Sequence, residues 1–127
     1  MFISIVLNTG AKMAIQIFGT KKCKTTKKAQ RFFSERNISF QFIDIAIKGP
    51  SKGELNSILK FVPLDEIIDK HSKLYEKKNF KYIQHDILEE ILNEPLLLNT
   101  PIVRCGQLSV QGLDEEKWKI IVEKEKA

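Results

Sequence analysis

Cys23 is the residue in this sequence whose type and setting could do chemistry. It follows a short apolar run, Ala14-Ile-Gln-Ile-Phe18, and a turn, Gly19-Thr-Lys-Lys22. It also opens a stretch of helical periodicity in which Ala29, Phe32 and Phe33 share one face. A thiol at a helix N-terminus meets unpaired backbone N–H groups and the positive end of the macrodipole, both of which favour thiolate over thiol. Lys21, Lys22, Lys24, Lys27 and Lys28 add positive charge to the same field. That environment suits a nucleophile or a redox centre. The competing reading is a buried apolar cysteine that only packs, the usual fate of a lone Cys.

Other chemistries find less support. A phosphatase loop of the Cys-x5-Arg kind needs arginine at position 29, where this chain has Ala29. Cys23, His71, His85 and Cys105 lack metal-ligand spacing, so no metal is expected, and both histidines read as solvated surface residues. Gly-rich phosphate loops are missing as well. Phe40 and Phe42 alternate with Ile43 and Ile45 in a strand-like run, which favours core over a platform for stacked bases.

The elements that must position Cys23 can be read from periodicity and punctuation. A strand over about 14–19 leads into a helix ending near Arg36-Asn37, where Asn can take a left-handed capping position. Ile38 to Ile45 reads as a second strand, so a parallel β-α-β unit with a right-handed crossover is expected. Lys48-Gly-Pro-Ser51 is a turn, with Ser51 and Glu54 in capping-box spacing, followed by helix to about Phe61. From there to Asn93 several short helices are expected. Ile102–Cys105, the turn Gly106-Gln107 and Leu108–Gln111 form a hairpin. Asp114 then caps a last helix to about Lys124, with Trp118, Ile121 and Val122 inward.

The 127 residues fit a single domain over 13–127, preceded by an extension at 1–12 that is either disordered or an added edge strand. At 43% hydrophobic and 29% charged residues, the chain can bury a core without metal or disulfide staples. A net charge of +5 favours anionic partners, but the lysines are spread along several helices, so direct nucleic-acid binding is not indicated. Two cysteines without a secretory signal point to a reducing, cytoplasmic setting. The opening Phe2-Ile-Ser-Ile-Val-Leu7 is too short for a membrane span, so no membrane association is expected.

The order βαβ, helices, ββα resembles the thioredoxin fold, an α/β architecture with a mixed central sheet. The helical insertion at about 51–93 is similar to that of the arsenate reductase (ArsC), Spx and YffB group. The residues that carry the resemblance are Phe18-Gly-Thr-Lys-Lys-Cys-Lys-Thr-Thr-Lys-Lys-Ala29, Ser72-Lys-Leu-Tyr75 with Lys77-Lys-Asn-Phe80, Leu97-Leu-Asn-Thr-Pro-Ile-Val103 and Val110-Gln-Gly112. The resemblance implies that Pro101 is cis and lies against Cys23, the nucleophile. It also implies that Thr25 and Thr26 offer donors in the first helical turn, and that glutathione, a glutaredoxin or another small thiol serves as co-substrate, with no bound cofactor. Lys22 and Lys24, with Thr100 and Arg104 near the proline, complete the expected substrate- or thiol-binding set. The expected function is a thiol-dependent oxidoreductase.

The chain departs from the family pattern in ways that bear on function. Thr100 stands where arsenate reductases carry an arginine, and between Arg36 and Arg104 there is no arginine to grip arsenate oxygens bidentately. True arsenate reduction is the narrower alternative. Spx-type regulators carry a Cys-x-x-Cys switch and bind RNA polymerase, and a non-catalytic regulator of that kind is the other alternative; here the motif reads Cys23-Lys-Thr-Thr26. Cys105 lies four strand residues beyond Pro101, about 13 Å at roughly 3.3 Å per residue. A disulfide needs Cα atoms within about 7 Å. Cys105 is therefore expected to pack in a strand rather than resolve Cys23.

Overall fold

A computed structural model of the chain describes residues 15–77 and 87–126. Among the described residues, four short strands form one mixed sheet in the order β2-β1-β3-β4: β1 is Ile15–Gly19, β2 Gln41–Asp44, β3 Ile102–Cys105 and β4 Leu108–Gln111. β1 is central. It runs parallel to β2, with Ile17 opposite Phe42, and antiparallel to β3, with Phe18 opposite Ile102. The α-helices among the described residues are α1 Lys24–Glu35, α2 Lys52–Leu59, α3 Leu64–Ile67, α4 Lys73–Lys77, α5 Ile87–Asn93 and α6 Glu115–Lys126. A 3-10 turn, Pro95–Leu97, leads toward β3. The architecture is α/β and thioredoxin-like, as the order of elements in the sequence implies.

Strand alternation divides the core into two layers. Ile15, Ile17, Val103, Cys105 and Val110 face α1 and α6, where they meet Ala29, Phe33, Trp118 and Ile121. Phe18 and Ile102 face the other way, into Leu55, Ile58, Ile67, Ile91 and Leu97 of the inserted helices and the turn after them. Trp118 is 1% exposed and stacks at a tilt on Phe32, with ring centroids 5.3 Å apart. Burial of such a ring dominates the packing of its layer.

Local chemistry sets the element ends. Asn37 takes φ 59, and the N–H groups of Asn37 and Ile38 bond to the carbonyls of Ser34 (3.0 Å) and Phe33 (2.9 Å), a Schellman closure of α1. That closure explains why β2 begins at Gln41 rather than Ile38: the Ile38 N–H is already spent on the helix, and pairing starts where Gln16 meets Gln41. Helix α2 stops at Leu59, short of Phe61. Lys60 and Phe61 make tighter bonds to Ser57 and Ile58, and Val62, which precedes Pro63, is disfavoured in helical geometry. The hairpin turn places Gly106 at φ 62, a conformation that favours glycine. Phe40 packs against the α1/α6 layer, and Phe42 is partly buried. The expectations for residues 1–12, His85 and most of Lys77–Phe80 lie outside the described residues.

At the start of α2, the Ser51 hydroxyl accepts the Glu54 N–H at 3.1 Å, while the Glu54 carboxylate accepts the Ser51 N–H at 2.9 Å. Both halves of the capping box are in place. Ser51→Ala should therefore lower unfolding free energy by about 1 kcal/mol, read as a shifted midpoint at unchanged slope in urea denaturation.

Candidate functional site

Two segments far apart in sequence build the site. The turn after β1 carries Cys23 to the N-cap of α1, with φ −77 and ψ 115, and its carbonyl accepts the Lys27 N–H at 3.2 Å. A side chain at an N-cap lies beneath the N–H groups of the second and third helical residues. Here those residues are Thr25 and Thr26. Gly19 makes the arrangement possible: a Cβ there would lie 2.4 Å from both Cγ2 and Oγ1 of Thr26, so only glycine lets the first turn of α1 settle onto β1.

The other wall is the stretch Leu97 to Pro101, and the insertion holds it. Asp69 donates to the Leu97 carbonyl and Asn99 to the Ile67 carbonyl, each at 2.8 Å, around an antiparallel bridge between Ile68 and Leu98. Asn99 Nδ2 reaches the Glu66 carbonyl at 3.1 Å, and on the other flank Gly112 donates to Pro101 at 2.9 Å. The Thr100-Pro101 peptide is cis. Thus clamped, Thr100 points its hydroxyl at Cys23, donating to Sγ at 3.3 Å, while Sγ lies 3.9 Å from the Thr100 carbonyl.

These contacts shift the proton affinity of the thiol. Partial burial on its own pushes Cys23 up, because it penalises the charged form. The Thr100 hydroxyl, the Thr26 hydroxyl, and the N–H groups of Thr26 and Thr25 together outweigh it and leave the thiol below its ordinary value. Thr26 Oγ1 is wholly buried and meets no described partner in full hydrogen-bond geometry, so it acts on the sulfur as a nearby dipole. The lysines contribute differently from the sequence expectation. Lys21, Lys22, Lys24, Lys27 and Lys28 are all solvent-exposed, and the lowering comes from short-range donors that water does not screen.

The structure does not bring every expected residue to the thiol. Thr25, Thr26 and Thr100 meet Cys23, and Pro101 follows Thr100 through the cis peptide; Lys22 and Lys24 flank Cys23 in sequence with their side chains in solvent. Arg104 is directed elsewhere. It donates to Gln16 Oε1 at 2.5 Å and to Ser57 Oγ at 3.4 Å, and its charge helps hold the Glu54 carboxyl below its usual range against the opposing effect of burial. Cys105 pairs with Ile15 at the opposite end of β1 and is buried, and it is not joined to Cys23 in a disulfide. Sequence reasoning did not anticipate the Gln16–Glu54–Arg104 network, in which Gln16 also donates to Glu54 at 3.2 Å. A polar residue in an apolar central strand, level with Arg104, was the available signal.

Among the described residues, no group of three or more His, Cys, Asp or Glu side chains is placed to hold a metal ion. No described helix is long and apolar enough to cross a membrane.

Comparison with known proteins agrees with this fold. The ArsC family profile matches residues 18–121. The global transcriptional regulator Spx 2 of Oceanobacillus iheyensis is 27% identical over 113 residues, covering 85% of this chain and 76% of the regulator. An ArsC-family-related protein from Bacteroides fragilis superposes with a TM-score of 0.77 at 17% identity, over 87% of this chain and 98% of that one. An arsenate reductase from Vibrio cholerae gives 0.72 at 20% identity, over 89% and 98%. At such identities the two structures speak to the fold alone.

The Thr100 contact generates a pH prediction. Thiolate is the reactive form, so the rate of Cys23 alkylation should rise with pH through a midpoint below that of an ordinary thiol. Thr100→Val removes a donor to the thiolate and should move that midpoint upward; an unmoved midpoint would refute the assigned role of the hydroxyl.

Proposed function

The chain belongs to the ArsC family, and we propose that within it the protein is a single-cysteine thiol oxidoreductase that works with an external thiol. The observation that carries this reading is the state of Cys23: partly buried, met by the Thr100 hydroxyl at 3.3 Å, lowered in pKa, and separated by the length of β1 from Cys105. A thiolate so placed attacks readily but has no neighbouring cysteine to resolve what it forms.

The reaction is written for a glutathione mixed disulfide. The Cys23 thiolate attacks the glutathionyl sulfur; a Cys23–glutathione disulfide forms, the original S–S bond breaks, and the substrate leaves as a thiolate that takes a proton from solvent. A second glutathione thiolate attacks the glutathionyl sulfur on Cys23, releasing oxidised glutathione and returning the Cys23 thiolate. A glutaredoxin could supply the same two electrons. The donors from Thr25, Thr26 and Thr100 stabilise Cys23 both as attacking thiolate and as leaving group. Exposed Lys22 and Lys24 favour approach of the glutathione carboxylates. Arsenate is the less suited substrate. Thr100 brings no cation to the thiol, and Arg104 is bonded to Gln16 and Ser57.

A second reading rests on the relatives named as global transcriptional regulators. In it the protein docks on RNA polymerase and Cys23 is dispensable for docking. Pull-down of RNA polymerase by wild type and Cys23→Ser separates the two: equal capture by both, with no thiol-transfer activity, would favour the regulator.

For the leading reading, the reduced protein exposed to oxidised glutathione should gain a single glutathione adduct by intact mass. Peptide mapping should place it on Cys23, and reduced glutathione should remove it. Cys23→Ser should take up none. An adduct on Cys105 instead, or no adduct on the wild type, would defeat the proposal.

A further inference from the structure

Away from Cys23, a cleft of about 280 Å3 lies between α1 and the start of α6. Lys28, Arg31 and Arg36 contribute its cations, while Phe32, Leu113 and Trp118 contribute apolar wall. Glu35 and Glu115 also line it. Leu113 is 53% exposed and forms the accessible apolar part of the wall. Arg36 is held in place: its guanidinium lies 3.6 Å over the Phe32 ring and donates to the Phe32 carbonyl at 3.0 Å. Trp118 keeps its buried Nε1–H without an acceptor among the described residues.

The helix leading to the cleft carries exposed positive charge. α1 has no acid in its first turn, and Lys24, Lys28 and Arg31 succeed one another at spacings of four and three, so they form a ridge on one side of the helix. All three are exposed, and none forms an ion pair among the described residues. From Cys23 to Arg31 the helix rises about 12 Å, a distance that about four residues of extended peptide span.

We propose that the cleft and this ridge bind an acidic peptide segment of a partner protein. Its carboxylates pair with Lys28 and Arg31, and one aliphatic side chain packs on the exposed Leu113. The composition of the cleft favours a peptide over nucleic acid. Glu35 and Glu115 repel a continuous phosphate backbone, whereas a peptide can set neutral groups or backbone N–H donors against them. Phe32 and Trp118 are 5% and 1% exposed, which leaves no open ring face for a base to stack on. Binding needs no thiol chemistry, so the proposal stands apart from the oxidoreductase reading.

Trp118 is the only tryptophan in the chain and reports directly on the cleft. A short synthetic peptide of glutamates and aspartates around one leucine, with blocked termini, should change its emission saturably. Affinity should fall as salt is raised. Lys28→Glu with Arg31→Glu should weaken binding by roughly tenfold or more, and Lys28→Gln with Arg31→Gln, which adds no repulsion, by a smaller factor. Cys23→Ser should bind as the wild type does. No saturable change at millimolar peptide, equal affinity in the doubly substituted variants, or a single-stranded oligonucleotide of equal charge binding as tightly as the peptide would each overturn the proposal.

Discussion

Antiparallel pairing of β1 with β3 is the constraint on which the site depends. It sets the C-terminal end of β1 beside the N-terminal end of β3, with Phe18 opposite Ile102. Whatever follows the first strand must therefore meet whatever precedes the third. The former is the turn to Cys23 and the latter is Thr100-Pro101, separated by 77 residues in sequence and by 3.3 Å between hydroxyl and sulfur. The same pairing sends Cys105 to the far end of β1, opposite Ile15. One register thus creates the thiol environment and removes the second thiol from it.

Each neighbouring element refines that arrangement. The close approach at Gly19 lets Thr26 pack onto the strand, which turns the first N–H groups of α1 toward the sulfur. The insertion contributes through its backbone: Ile67 and Asp69 bracket the chain from Leu97 to Asn99, so Thr100 is presented by hydrogen bonds on both sides and not by an unsupported loop. On the same sheet face, Gln16, Glu54, Ser57 and Arg104 tie α2 to the central strands. Arg104 is thereby part of the scaffold.

The electrostatics of Cys23 illustrate how short-range and long-range effects differ near a surface. Five lysines surround the helix start in sequence, yet exposed cations act through water and counter-ions, which screen them within about 10 Å. A hydroxyl at hydrogen-bond distance and two backbone N–H groups are fixed in place and cost no reorganisation when charge appears on the sulfur. They dominate, and the lysines are left free for encounter with anionic groups.

Much of this could be read from the chain before any coordinates. The order of strands and helices, the hairpin at Gly106-Gln107, the Ser51–Glu54 capping box, the left-handed Asn37 and the inward face of α6 all follow from local rules of capping, turn chemistry and periodicity, which act over a few residues. Cys23 at a helix start belongs to that class. Only the tertiary structure decided what surrounds it. That Thr100 donates to the sulfur, that Arg104 turns to Gln16 and Ser57, and that a cleft opens between α1 and α6 depend on pairing and packing between segments distant in sequence. Local rules say where a chain bends and which face it hides; they do not carry the register that selects which distant side chains meet.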